Sequence, residues 1–374
     1  VIKTVLQRWR RERPAPEPPA PPAAPPQVVV LGMHRSGTSA ITALLRLLGL
    51  WAGEAEDFPP ADEHNPAGYW EHRGVWAVNE AILHALGVSW SAVAELDLTA
   101  RGEELLPRFG ERAREVVREL DRHGPWVVKD PRLCLLFPFW RQILADPFCV
   151  LIHRDPLPVA RSLAARDGLA LPHGIALWER YTRDALDATR GLPRVLISHR
   201  ELMARPAATL ERLRRELAGH RPELARLRLP GPEEIRGVLD PDLLHHADDR
   251  TSERSYLTLT QLALLDALAD GSALGLDPVP PLSPGARELL AAYEGLRELA
   301  NAKAAAVAKR DRALAWVDEA DAILAATFAS RSWRIGRAVT TLLGLRGRSR
   351  LSSDERRERL MAEVRSRPRG DAGE

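Results

Sequence analysis

Residues 28–48 constrain the fold more than any other part of the chain. Val28-Val29-Val30-Leu31 is a short continuous apolar run, the pattern of a strand buried on both faces. The loop Gly32-Met33-His34-Arg35-Ser36-Gly37-Thr38-Ser39 follows, and residues 40–48 then carry apolar side chains all round, as a buried helix does. Strand, glycine loop and helix in that order open a phosphate-binding α/β unit. Three more units of the kind are expected. Trp126-Val127-Val128 runs into Lys129-Asp130-Pro131. Phe148-Cys149-Val150-Leu151-Ile152 runs into His153-Arg154-Asp155-Pro156 and a helix through Arg161 and Ser162. Arg194-Val195-Leu196-Ile197 precedes a helix over residues 206–218. This alternation predicts the α/β class: a P-loop-type three-layer fold around a central, mostly parallel sheet.

Gly32 and Gly37 bracket four residues, the frame of a nucleotide-binding loop. Glycines let the backbone approach an anion and aim several N–H groups at it, and the helix behind adds its N-terminal partial charge. A triphosphate-binding loop needs a lysine directly after the second glycine. Here that position is Thr38, and the cation has moved inside the loop to Arg35. Thr38 and Ser39 add a pair of hydroxyls. The set suits a smaller anion than a triphosphate.

With this loop the sequence resembles the superfamily of sulfotransferases that use 3'-phosphoadenosine-5'-phosphosulfate (PAPS), notably its bacterial branch, whose members carry "R-S-G-T-S/T" after the first strand. The resemblance implies that Arg35, Ser36, Gly37, Thr38 and Ser39 grip the 5'-phosphosulfate. It also implies a second anion site. In that family an arginine at a strand end and a serine eight residues on hold the 3'-phosphate, and Arg154 and Ser162 match. ATP lacks that phosphate, so the pair favours PAPS. Ser198-His199-Arg200-Glu201-Leu202 resembles the family's segment after the fourth strand.

Sulfuryl transfer needs a base for the acceptor and a cation for the departing bridging oxygen. Glu71 is the expected base. It stands in Asn65-Pro66-Ala67-Gly68-Tyr69-Trp70-Glu71, before an apolar helix over residues 75–86, and similar segments occur in bacterial sulfotransferase-like proteins. His34 and His72 are alternatives, and so is an ordinary helix-start glutamate. Lys129 ends the second strand, at the sheet edge where open α/β folds bind ligands. Arg35 and Lys129 are the expected transition-state cations. Trp178 and Tyr181, at helical spacing, fit a core role better than an acceptor or adenine site. No metal is expected. His245-His246 with Asp248-Asp249 is the nearest approach to a cluster and reads as a polar turn.

The appendages carry less. Residues 1–13 are basic and 14–26 form a Pro/Ala linker. The main domain is expected over 27–275, a linker over 276–285, a long helix over 286–330 and a basic tail over 331–374. Leu289, Tyr293, Leu296, Ala300, Val307, Leu314, Val317 and Leu324 form an imperfect coiled-coil seam, interrupted by Lys303, Arg310 and Asp321. Pairing with a second copy through this helix is one expectation. Ser330-Arg331-Ser332-Trp333-Arg334-Ile335 resembles endings found in bacterial surface-polysaccharide proteins, which suggests a glycan or lipid-linked sugar as acceptor, besides a small molecule. The arginines after it suit peripheral contact with an anionic membrane. A net charge of +2 argues against a nucleic-acid partner. Two cysteines, no long apolar run and no leader-like start point to a cytoplasmic protein. Because the chain starts at Val1, a fragment or processed chain is expected. Two other readings stay open: a P-loop kinase, and a non-catalytic nucleotide-binding or scaffold module of polysaccharide machinery.

Overall fold

Each of the four runs expected as strands becomes one, within a residue or two of its expected ends. The computed structural model describes residues 24–60, 69–94, 96–239 and 254–330, with isolated positions beyond. The basic stretch 1–13, most of the Pro/Ala run, residues 65–68, the His245–Asp249 cluster and most of the tail lie outside the described residues. The chain runs through β1 (Gln27–Leu31), α1 (Thr38–Leu48), α2 (Arg73–Ala85), α3 (Leu98–Asp121), β2 (Trp126–Lys129) and α4 (Leu133–Trp140). Then come β3 (Pro147–His153), α5 (Pro156–Asp167), α6 (Leu171–Ala188), β4 (Arg194–Ser198), α7 (His199–Ala204) and α8 (Pro206–His220). Last are α9 (Pro232–Arg236), α10 (Leu259–Asp270) and the long α11 (Pro284–Ala329).

The four strands pair in parallel in the order β2-β1-β3-β4. Alternation along each strand sends side chains to two separate cores. Val29, Leu31, Trp126, Val128, Cys149 and Leu151 join one core with α2, α3, α4 and α6. Val28, Val30, Val127, Phe148, Val150 and Ile152 join the other, against α1 and α8. A sheet buried on both faces reads as unbroken apolar runs, which is why these strands were legible. The three-layer α/β class is the one observed.

The strand order also fixes where a ligand can sit. From β1 the chain crosses to β2 on one side, and from β3 it crosses to β4 on the other. The loops leaving β1 and β3 therefore diverge, and the crevice between them at the carboxyl edge is a topological switch point.

The chain divides into two compact units after Gly295. Residues 276–295, expected as a linker and the start of a separate helix, belong to the first unit. Val279, Ala286 and Leu290 are buried in its core. The second unit begins at Leu296 and includes the rest of α11, which is exposed over most of its length. No helix among the described residues is long and apolar enough to cross a membrane.

Candidate functional site

The carboxyl ends of all four strands contribute to one cleft: the glycine loop after β1, Lys129 of β2, Arg154 after β3 and His199 after β4. It encloses about 920 Å³ of space open to solvent. Arg35, Gly37, Thr38, Ser39, Glu71, Lys129 and Arg154 all line it. Of the residues expected to bind the donor, Ser36 and Ser162 are not among the lining groups. Ser36 is buried, with its hydroxyl unpartnered. Ser162 lies one bond back, accepting a hydrogen bond from Arg35 Nε at 2.8 Å.

Backbone conformation shapes the loop. Gly37 has φ 88° and starts α1. A Cβ there would meet His199 Cδ2 at 2.5 Å, and one on Gly32 would stand 2.6 Å from the Ile152 carbonyl oxygen. Glycine is thus required at both positions, once for conformation and once for the close approach of β1 to β3. Among the described residues, Arg35 (φ 67°) and Trp70 (φ 55°) are the non-glycine positions with positive φ. Both line the cleft. Strained backbone of this kind clusters at ligand sites.

The two expected anion-binding segments are joined. Arg35 reaches Ser162 on α5, and Arg154 Nη1 donates to the Arg35 carbonyl at 3.3 Å. Trp178 Nε1 donates to the Arg154 carbonyl at 2.9 Å, holding that turn from the core. Trp178 and Tyr181 are fully buried and do not line the cleft.

Lys129 sits at the centre of a second cluster. Its Nζ donates to Glu71 Oε1 at 2.5 Å, to Ser39 Oγ at 3.2 Å and to the Tyr69 carbonyl. Ser39 Oγ also donates to the Tyr69 carbonyl at 3.0 Å. Lys129 therefore ties the glycine loop to the segment carrying Glu71. Burial raises the pKa of Glu71 above the ordinary carboxylate value, and the Lys129 ammonium opposes that rise. Burial likewise lowers Lys129. The carboxylate is held in a place where, without its lysine, it would take a proton readily.

The neighbouring Asp130 has a different task. Asn79 Nδ2 donates to one of its oxygens at 3.1 Å, and the other accepts from Arg132 N at 2.9 Å and Arg132 Nη1 at 3.0 Å. The residue is fully buried. A carboxylate so occupied shapes the β2 turn. Among the described residues no group of three or more His, Cys, Asp or Glu is placed to hold a metal ion.

The two alternative bases separate. His72 caps α2, its Nδ1 accepting from Gly74 N at 3.2 Å, and does not line the cleft. His34 does line it, packed 4.6 Å from the Trp90 ring centroid. Burial and then the charge of Arg132 push its pKa well below the ordinary imidazole value.

Sequence reasoning missed His199, Arg166 and Tyr69 as lining groups. His199 directly follows β4, and that position was a usable signal, since the residue after each parallel strand faces the ligand edge. Burial and then Arg154 push its imidazole down to about 3. Arg166 is brought in by the far end of α5, which no local motif announces.

No protein-family model matches the chain, and no curated protein matches it in sequence. Several solved structures are similar, three of them as follows. The sulfotransferase domain of a Synechococcus olefin synthase is 15% identical, with 73% of this chain and 96% of that one covered and a TM-score of 0.34. The sulfotransferase domain from the curacin biosynthetic pathway is also 15% identical, with coverage of 72% and 97% and a TM-score of 0.34. A sulfotransferase from Mycobacterium avium is 17% identical, with coverage of 69% and 78% and a TM-score of 0.36.

Proposed function

We propose that this protein is a sulfotransferase that moves the sulfuryl group of PAPS to a hydroxyl or amine. The observation that carries the reading is the bond from Arg35 in the glycine loop to Ser162 on α5, with Arg154 on the same loop. It joins two anion-binding segments across the switch point. PAPS offers anions at both ends of its ribose, and ATP offers only a triphosphate at one. Thr38 where a triphosphate loop has lysine, and Asp130 locked into the β2 turn, weigh against a kinase.

The reaction follows from the residues around Lys129. Glu71 takes the proton of the acceptor, whose oxygen or nitrogen forms a new bond to sulfur. The bond from sulfur to the bridging oxygen breaks, and that oxygen keeps the electron pair on adenosine 3',5'-bisphosphate. Lys129 and Arg35 stabilise the charge as it shifts. Before the reaction the Lys129 ammonium opposes the burial that favours the protonated form of Glu71.

Thermal unfolding with ligands tests the reading. Adenosine 3',5'-bisphosphate and PAPS should raise the melting temperature, and ATP with magnesium should not. Arg154→Ala should weaken bisphosphate binding by about 1.5–3 kcal/mol, the contribution of a charge-assisted bond. Stabilisation by ATP–magnesium alone, or an unchanged bisphosphate affinity in the variant, would overturn it.

A further inference from the structure

Beyond Gly295, α11 carries a row of apolar side chains left partly exposed among the described residues. Val307, Leu314 and Leu324 are 40–45% exposed, and Val317 completes their alternating three- and four-residue steps. Arg310 and Asp321 fall on the same row. The surrounding charges are sorted along the helix. Residues 302–312 hold Lys303, Lys309, Arg310 and Arg312 with one acid, Asp311. Residues 313–329 hold Asp318, Glu319 and Asp321 with no base.

We propose that this helix pairs antiparallel with the same helix of a second copy, in the register that sets Arg310 of each chain opposite Asp321 of the other. A parallel pair in register would bring Lys303 to Lys303, Arg310 to Arg310 and Asp321 to Asp321 inside the seam, which penalises that arrangement. Reversing one chain lays the basic half on the acidic half, and the two-fold symmetry does so twice. With Arg310 opposite Asp321, Val307 meets Leu324 and Leu314 meets Val317, so the adjoining layers are apolar. The symmetry axis then passes between Ala315 and Trp316, and residues 302–329 of the two chains overlap. Sliding one heptad to pair Lys303 with Asp321 would instead set Arg310 against Leu314 beside the two-fold axis, whereas the proposed register leaves a seam charge, Lys303, unpaired only at the ends of the overlap. In the single chain Arg310 Nη2 donates to Asp311 Oδ1 at 2.7 Å, with both side chains more than half exposed. An exposed pair of that kind is weak and gives way readily.

Disulfide cross-linking of the full chain tests the register. Cys134 and Cys149 are fully buried, and burial raises both thiol pKa values, so mild oxidation leaves them aside. Mixing a Val307→Cys chain with a Leu324→Cys chain should give a cross-link between the two, and neither alone should link to itself. A Val307→Cys chain that cross-links to itself would mean parallel pairing and would overturn the proposal. In sedimentation equilibrium Arg310→Glu and Asp321→Arg should each weaken self-association by about tenfold, since each turns two attractive pairs repulsive. The double variant should recover most of that loss. A monomer of 41.5 kDa throughout the micromolar range would also sink the idea, whatever other protein the helix then binds.

Discussion

Glu71 and Lys129 form a pair whose burial works against both charges, and that opposition makes the site readable by pH. The proposed base acts only when deprotonated, so turnover falls as pH drops through the Glu71 pKa. Burial raises that pKa, so the acid limb of kcat lies above that of an ordinary glutamate. Lys129 lowers it, so Lys129→Met should move the limb to still higher pH while reducing the rate. Glu71→Gln keeps the shape and removes the base. It should cut kcat by roughly 10²–10⁴, the usual contribution of a positioned base, with bisphosphate affinity little changed. A Glu71→Gln enzyme with the parent's rate and acid limb would move the base elsewhere, His34 being the next group in the cleft. At this scale the sequence was informative about short runs at strand ends, and Arg35, Lys129 and Arg154, singled out there, all line the cleft. It was silent on Arg166, because a helix must be wound before its far end can be seen to return to the cleft. It also could not show that Ser162 would be met by Arg35, a bond that spans 127 residues.

Among the elements, the strands were legible and some helices were not, for a physical reason. A central parallel strand is apolar on both faces and stands out as an unbroken run. α3 is rich in charge and contains Pro107, which in a sequence signals a break. Its buried positions, Leu98, Leu105, Ala113, Val117 and Leu120, do keep helical spacing. α4 is apolar nearly all round, and periodicity cannot separate such a short run from a strand. What the sequence marked best was the glycine loop, and the demand for glycine there is steric. A Cβ on Gly32 would press on the backbone of β3, which cannot swing aside as a flexible side chain can. Gly32→Ala should therefore destabilise the protein by about 2 kcal/mol, as overpacking against rigid neighbours does, seen as a lower midpoint in urea. Gly219 offers the contrast. It lies in α8, and a Cβ added there would meet nothing within 4 Å, so Gly219→Ala should be neutral or slightly stabilising. Equal effects of the two changes would remove the steric account of the loop.

For the molecule as a whole, the question is where the first folded unit stops. Proline and glycine around residues 276–285 read as a linker in sequence, because such residues break periodic patterns whether they are mobile or packed. In the structure this segment is a strap across α6. Glu179, fully buried, accepts from Ser283 N at 2.6 Å, Ser283 Oγ at 2.7 Å and Gln261 Nε2 at 2.9 Å. Just beyond it, Tyr293 stacks on His173 with ring centroids 3.9 Å apart, and Glu294 accepts from Ala94 N at 2.7 Å. Ending the chain at Gly275 removes two of the three donors to a buried carboxylate and uncovers the apolar surface under Leu290. An uncompensated buried charge costs about 3–5 kcal/mol, a large share of the stability of an ordinary domain. A chain ending at Gly295 keeps all of these contacts. The expected outcome is a cooperative melt near the parent temperature for the longer truncation and a much lower or ill-defined one for the shorter. If both melted alike, the strap would be dispensable and the first unit would end before it. Because the cleft belongs to that unit, the longer truncation should also keep its response to adenosine 3',5'-bisphosphate while losing self-association, which separates the catalytic proposal from the pairing of α11.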